Sequence, residues 1–329
     1  MTILFALFLL TMLVITAVAI VQTTDLFAAV MLLGIFSLLM AANFFVLDAA
    51  DVALTEAAVG AGISTVLFLG ALALTSARER PAQDRPWLPL LVVLVTAATV
   101  VYATFDKPAL GDPNAPVHQH VAPWYLSETP RLIDIPNVVT AVLGSFRAYD
   151  TLGEVFVVFA AAIGVLFVLS GDRPVGDVIR PADAWSTSGL KHHLIPRIVG
   201  KLLIPFIILF GLYVQFHGEY GPGGGFQAGA IIAAGVILYA LLQGEGRALT
   251  ALPEPVLNAL VAGGALLYTM VGVVCMLLGG NFLEYSVLAT DSVTGQQIGI
   301  ILIEAGVGVA VTGVLLCIFH AFAARDPAH

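Results

Sequence analysis

Apolar runs of about 20 residues recur from one end of this chain to the other, and that recurrence limits what it can fold into. At 1.5 Å per residue, a helix of that length matches the hydrocarbon thickness of a bilayer. Nine such runs are predicted as spans, at 3–21, 27–47, 52–75, 88–105, 151–170, 198–216, 224–243, 256–279 and 297–322. Of the 329 residues, 59% are hydrophobic and 11% are charged, against about 25% charged in ordinary soluble domains. No soluble core of this length uses so much apolar surface. The fold class is therefore an all-α integral membrane protein with about nine transmembrane helices. Ala17-Val18-Ala19 resembles a signal-peptide cleavage site. Met1 to Phe5 carries no Lys or Arg, however, and the run is long for a signal peptide, so it is read as a retained span.

The basic residues orient the chain, because cytoplasmic loops hold the excess of Lys and Arg. With the N-terminus outside, the inner side holds Arg78, Arg80, Arg85, Arg173, Arg180, Lys191, Arg197, Lys201, Arg247 and Arg325, and the outer side holds Lys107, Arg131 and Arg147. That is 10 of the 13 basic residues inside. The expected topology is N-terminus outside, C-terminus cytoplasmic. The net charge of −9 then concentrates on the outer side, where Asp48, Asp51, Glu56, Asp150, Glu154, Glu219, Glu284, Asp291 and Glu304 lie at span ends or in outer halves. Most of these acids are explained by the exclusion of bases from that side. Glu56 and Glu304 are not, since both lie inside apolar runs. Cys275 and Cys317 fall within spans and indicate no disulfide framework.

Charged, Pro-containing stretches at 76–87 and 171–197 divide the spans into blocks. The segment 106–150, placed outside, is longer than most connections. Its second part, "NVVTAVLGSFRAYDTLGE", is apolar enough to lie along the membrane or rest on the protein.

"HGEYGPGGGFQAG", residues 217–229, follows the sixth span. Gly223, Gly225 and Ala228 fit the G-x-G-x-x-G/A dinucleotide pattern, but no strand precedes them, and the pattern has meaning only between a strand and a helix. Nucleotide binding is excluded on that ground. Gly223, Gly224 and Gly225 suit a tight re-entry turn with positive φ and close helix packing. The amides opening the seventh span carry positive partial charge, so Glu219, or a carboxylate from another chain, could sit there, with a tight turn and close helix packing as the plain account.

Two acids stand on stripes of small residues. Glu56, Gly60 and Ser64 recur at i, i+4, i+8, and so do Glu304, Gly308 and Thr312. Small residues let helices approach, so each carboxylate faces protein. An acid within a membrane span is a functional hypothesis by default. Glu304, about two turns into its predicted span, is the stronger candidate, and a structural hydrogen-bonded acid is the plain alternative. A buried Glu can exchange a proton with solvent or ligate Na⁺, and competition for one carboxylate is a simple basis for exchange. Asp150 and Glu154 stand at i, i+4, with helix capping by Asp150 or Thr151 as the plain account. Asp48 and Asp51 flank the third span. His217 borders the glycine loop and titrates in the neutral range when unperturbed. Lys201 is expected to snorkel to the inner interface or to pair with a partner's acid. His118 and His120 have metal-like spacing but no further Cys or His nearby, so no structural metal is expected. No Walker, Ser-His-Asp or Cys-His pattern appears, and the acidic balance argues against nucleic acid. No cofactor is expected, with Na⁺ and H⁺ as transported species.

The motif H-G-x-x-x-P-G-G-G-F-Q-x-G, together with "GIILIEAGVG" in the last span, resembles the MnhB/MrpB subunit family of multisubunit cation/proton antiporters over roughly residues 197–323. "LDAADVALTEAAVGAGISTVLFLGALAL" resembles the MbhD-like segment found in membrane-bound hydrogenases and near the C-terminus of the large MrpA subunit. "NVVTAVLGSFRAYDTLGEVFVVFAAAIGVLFVL" resembles the MbhE-like segment that follows it. The resemblance implies an MbhD-like three-helix segment at 1–76, an MbhE-like two-helix segment at 77–170 with the long outer loop 106–150, a cytoplasmic linker at 171–196 and an MnhB/MrpB-like four-helix domain at 197–329. The large MrpA subunit carries an extended proton-conducting domain before these segments, and nine helices cannot contain it. The implied protein is a transport subunit without a catalytic site, in the inner membrane of a prokaryote, working beside complex-I-like proton-pumping subunits and small membrane subunits. The same module in a redox-driven complex, or a purely architectural role, are the alternatives.

Overall fold

A computed structural model describes residues 2–73, 75–79, 87–109, 111–170 and 194–323. Within them the chain is nearly all helical, with one isolated antiparallel bridge, Asp25 to Arg78. Nine helices among the described residues are long and apolar enough to cross a membrane. We number the helices in chain order: α1 Thr2–Gln22, α2 Leu26–Val46, α3 Ala50–Leu72, α4 Trp87–Thr104, α5 Ala122–Leu132, α6 Val138–Ala141, α7 Ala148–Ser170, α8 Leu194–His217, α9 Gly225–Gln243, α10 Glu245–Ala251, α11 Glu254–Leu277 and α12 Ser292–Ala323. The crossing helices are all of these except α5, α6 and α10. Each overlaps one expected span, with ends shifted by a few residues where caps decide them. Asp25, for example, starts α2 by accepting from the Ala28 amide at 3.1 Å.

The helices divide into a tight bundle and a looser set. In α12, 61% of the apolar stretch is buried, whereas none of α4 is. Close approach builds the tight part. A Cβ added at Gly264 of α11 would collide with the backbone of Gly306 and Ala310 on α12, so only glycine permits that crossing. The Tyr268 hydroxyl, fully buried, donates to the Ala148 carbonyl at 2.7 Å and ties α11 to the start of α7. Thr312 donates to Gly308 at 2.7 Å and to Gly229 at 3.2 Å, which joins α12 to α9.

Two features depart from what periodicity alone suggests. The middle of α3, Glu56–Ile63, is π-helical. One π segment adds residues to the turn and rotates everything beyond it relative to a regular helix. Secondly, the connection between α4 and α7 is structured. It holds the π turn Val117–Val121, α5, α6 and a second π segment Val142–Phe146. This segment rests on the protein. Ile133 and Ala141 are buried in the core, Gln297 of α12 donates to the Ile133 carbonyl at 3.1 Å, and Ser145 donates to Gln296 at 2.7 Å. The basic stretches at 80–86 and 171–193, with Arg80, Arg85, Arg173, Arg180, Lys191, His192 and His193, and also Arg325, lie outside the described residues. So does nearly all of the expected linker 171–196.

Candidate functional site

The glycine loop sits where α3, α7, α9 and α12 meet. It lines a cavity of 480 Å³ together with Asp51, Thr55, Thr140, Thr151, Glu154, Gln227 and Glu304. The loop turns as its composition requires. Gly224 caps α9 with φ 133° and ψ −178°, a backbone state open in practice only to glycine. Its amide donates to the Val214 carbonyl at 3.2 Å, which folds the loop back on the end of α8.

The carboxylates at the start of α9 are Asp51 and Glu304 of this same chain. Asp51 accepts from the Gly223 amide at 3.3 Å, and Glu304 Oε1 lies 3.3 Å from the point a Gly224 Cβ would occupy. Glu219, which the sequence offered for that position, accepts from no amide there among the described residues. The partial positive charge of a helix N-terminus explains the preference for an acid there, and packing decides which acid reaches it. Glu219 sits just behind. Its Oε1 is buried without a hydrogen-bond partner among the described residues, and burial raises its pKa above the ordinary carboxylate value. Glu219 and Asp51 are both near enough to interact electrostatically with Glu304. Two other acids of this end behave differently. The amide and side chain of Asn281 lower the pKa of Glu284, and the Thr294 hydroxyl and amide lower that of Asp291, so both are loop-fixing acids.

Glu304 stands level with the first turn of α9, since a Cβ on Gly225 would strike the Glu304 carbonyl. α12 runs on for about three turns beyond it, covered by the α4–α7 connection. Depth counted from the apolar run thus differs from depth relative to neighbouring helices. Its stripe partners do other work: Gly308 makes room for Gln215 of α8, and Thr312 bonds α9.

Glu56 is not brought to this cavity. Its Oε1 folds over Gly60, where Ser37 of α2 also approaches, so it faces the α2–α3 contact. Glu56 follows Thr55 by one residue, about 100° round the helix from the Asp51–Thr55 face that meets the cavity. Ser64 donates to the Gly60 carbonyl at 2.5 Å, within its own helix. Asp150 pairs with Arg147 at 2.5 Å in the first turn of α7, and Thr151 donates to the Leu143 carbonyl at 2.8 Å. The capping account thus gives way to a local ion pair and a loop tie. Glu154, one turn on, lines the cavity. Asp48 is exposed in the α2–α3 turn with φ 59°. His217 stacks on Tyr213 with ring centroids 4.8 Å apart, beside the loop. Lys201 is exposed, sixteen residues before His217 on α8, and makes no ion pair among the described residues. No group of three or more His, Cys, Asp or Glu able to hold a metal occurs among them.

Asn137, Gln227 and Thr55 at the site were not singled out from sequence. Asn137 donates to the Gly218 carbonyl at 3.0 Å, the Gly221 carbonyl at 2.9 Å and Asp51 at 3.4 Å, and its own oxygen accepts from the amides of Val139 and Thr140. It stitches the glycine loop to α3 and α6. Gln227 donates to Thr55 at 2.8 Å across the α3–α9 contact. Gln227 stands within the quoted glycine motif, so its position carried a signal; Asn137 in a long connection carried none.

These features define a polytopic helical membrane protein with a carboxylate-lined cavity closed by a glycine turn. Residues 195–317 match the family model described as a domain related to the MnhB subunit of Na⁺/H⁺ antiporters. Residues 11–77 match the MbhD family and residues 90–184 the MbhE family, the D and E subunits of MBH. A putative antiporter subunit mnhB2 of Staphylococcus aureus is 31% identical over 131 residues, which cover 92% of that protein and 39% of this chain. The chain belongs to the family of MnhB-related antiporter subunits. A probable A/B-type subunit of a K⁺/H⁺ antiporter from Rhizobium meliloti is 26% identical over 235 residues, 64% of this chain but 23% of that protein. An uncharacterized protein of Methanocaldococcus jannaschii is 34% identical over 164 residues, 45% of this chain and 60% of its own length. The chain thus spans only part of the length of these two relatives. Among solved structures, the Mrp complex from Dietzia sp. DQ12-45-1b contains a chain matching 98% of this one with TM-score 0.76 and 27% identity, over 35% of that chain's length. An archaeal membrane-bound sulfane sulfur reductase contains a chain matching 70% of this one, and 97% of itself, with TM-score 0.52 and 27% identity.

Proposed function

We propose that this chain is a membrane subunit of a Mrp-type cation/proton antiporter, and that the cavity between α3, α7, α9 and α12 is part of its ion or proton path. The observation that carries this reading is the convergence of Asp51, Glu154 and Glu304 on one cavity at a helix N-terminus. Acids that merely follow the exclusion of bases would point to solvent separately. Glu304 is the residue for proton or cation exchange, Asp51 holds the glycine loop and adds negative charge, and Glu154 stands on the cavity wall. Glu56, Asp48, Asp150 and Lys201 are assigned no part in the path, and His217 and Glu219 stand beside the glycine loop. The separate proton-pumping subunits are other chains of the complex. The orientation proposed is N-terminus outside, with the glycine-loop end outward. Among the described residues, Arg78, Arg197, Lys201 and Arg247 sit at the opposite end, consistent with a cytoplasmic side rich in bases.

The test is Glu304→Gln in the assembled complex, with cation-driven ΔpH measured in inverted vesicles and complex content checked on a native gel. Gln keeps shape and one acceptor oxygen but does not take up and release a proton in this range. Strongly reduced exchange at normal complex content is expected. Near-normal exchange would favour the architectural role. The likeness to the sulfane sulfur reductase chain supports a second reading, the same module in a redox-driven complex. Identifying the subunits that purify with this chain separates the two.

A further inference from the structure

Thr55 makes two bonds that together orient Gln227. Its hydroxyl lies 2.9 Å from the Asp51 backbone carbonyl, which can only accept, so the hydroxyl donates there. Its remaining lone pairs then accept from the Gln227 amide nitrogen, at 2.8 Å. The nitrogen of Gln227 is thereby fixed toward α3, and its carbonyl oxygen toward the cavity. Gln227 is 9% exposed, and its Oε1 accepts from no donor among the described residues. That oxygen lies 3.5 Å from the point a Gly224 Cβ would occupy, and Glu304 Oε1 lies 3.3 Å from the same point. Two oxygens therefore approach Gly224 from neighbouring side chains, neither accepting from a donor among the described residues, one on a side chain more than nine-tenths buried. Acceptors left without a protein donor at a cavity are completed by water, by a proton between them or by a cation.

We infer that Gln227 Oε1 and the Glu304 carboxylate form a binding locus for a dehydrated monovalent cation, and that protonation of Glu304, which then donates to Gln227, is the competing state. The inference rests on the antiporter reading above and names the second ligand of the same site. Asp51 from α3 and Glu154 from α7 line the same cavity, Glu219 from the loop is near enough to Glu304 to interact electrostatically, and all three favour positive charge there. The α9 N-terminus opposes it with about half a unit of positive charge. Gly224 leaves the space empty of side chain, and the cavity gives the remaining coordination positions to water. In this arrangement the cation and the proton exclude each other, because a protonated Glu304 has lost its charge and its hydrogen occupies the Gln227 oxygen the cation needs.

The experiment titrates NaCl, KCl and LiCl separately against ΔpH in inverted vesicles carrying the complete complex, with complex content measured on native gels. Gln227→Met removes the cavity oxygen at nearly constant volume. Gln227→Glu keeps an oxygen there and loses the amide that bonds Thr55. A ligand role predicts at least a tenfold rise in the half-saturating cation concentration for Gln227→Met, with most of the maximal exchange kept, and no comparable rise for Gln227→Glu. A role limited to the Thr55 bond predicts equal damage in both variants, and that result overturns the inference. An unchanged half-saturation in Gln227→Met also overturns it, while a loss of exchange in Glu304→Gln leaves the antiporter reading standing. If Gln227→Met fails to assemble, Gln227→Glu decides: assembly with half-saturation at or below that of the unaltered complex supports the ligand role, and joint failure refutes it. Absence of exchange with all three cations in the unaltered complex removes both readings.

Discussion

Replacing Gly224 by alanine tests whether the turn is held by conformation. At φ 133° and ψ −178° the backbone lies in a region essentially closed to side-chain-bearing residues, and a residue held there costs of order 1–3 kcal/mol. The new Cβ would also stand 3.3 Å from Glu304 Oε1 and 3.5 Å from Gln227 Oε1. Both are ends of flexible side chains and can give a few tenths of an ångström, so backbone strain is the larger effect. A local penalty of about 1–3 kcal/mol shifts the loop's equilibrium toward other conformations by roughly 5- to 150-fold. The bonds lost in those conformations are Gly224 to Val214 and Gly223 to Asp51. Gly221→Ala is the control. Gly221 has no positive φ, and its Cβ would meet only the His217 Nε2 at 3.0 Å, on a ring that can turn. The assays are cation-driven ΔpH at matched complex content and thermal melting of the solubilised complex. Gly224→Ala is expected to lose most exchange and to melt lower than Gly221→Ala. Equal behaviour of the two variants in both assays would refute the reasoning.

The remaining predictions concern topology and pH. With Asp112→Cys and Arg80→Cys made separately, an impermeant thiol reagent on intact cells should label position 112 and spare position 80, and the reverse pattern would invert the orientation. Burial raises the Glu219 pKa above its ordinary value of 4.5, so the folded state binds the extra proton between that value and the raised one. Glu219 therefore contributes stability below about pH 4.5 that is lost as pH rises through its folded pKa. Glu219→Gln should flatten the fall in melting temperature of the solubilised complex across that window, and an unchanged slope would show that another group causes it.

Hydropathy alone determined the spans, because a bilayer demands about 20 apolar residues per crossing whatever the helix touches. The expected runs 27–47 and 224–243 became α2 and α9 almost unchanged. The glycine turn was equally legible, since Gly224 answers a local demand of the backbone. The site was legible only in part. Glu304 stood out as an acid in an apolar run, and so did Glu56, yet the fold sends one to the cavity and the other to Ser37. The choice turns on which face of α3 meets α9: Asp51 and Thr55 share that face, and Glu56 lies about 100° round from it. Asp51, Asn137, Glu154, Gln227 and Glu304 come from four separate helices and a connecting loop, and their convergence depends on which helices approach closely. In lipid that approach is set by small-residue contacts such as Gly264 against Gly306, because hydrophobicity does not distinguish a neighbouring helix from lipid tails. The sequence thus named the acid and the turn, and only helix packing decided that Gln227, held by Thr55, turns its oxygen toward Glu304.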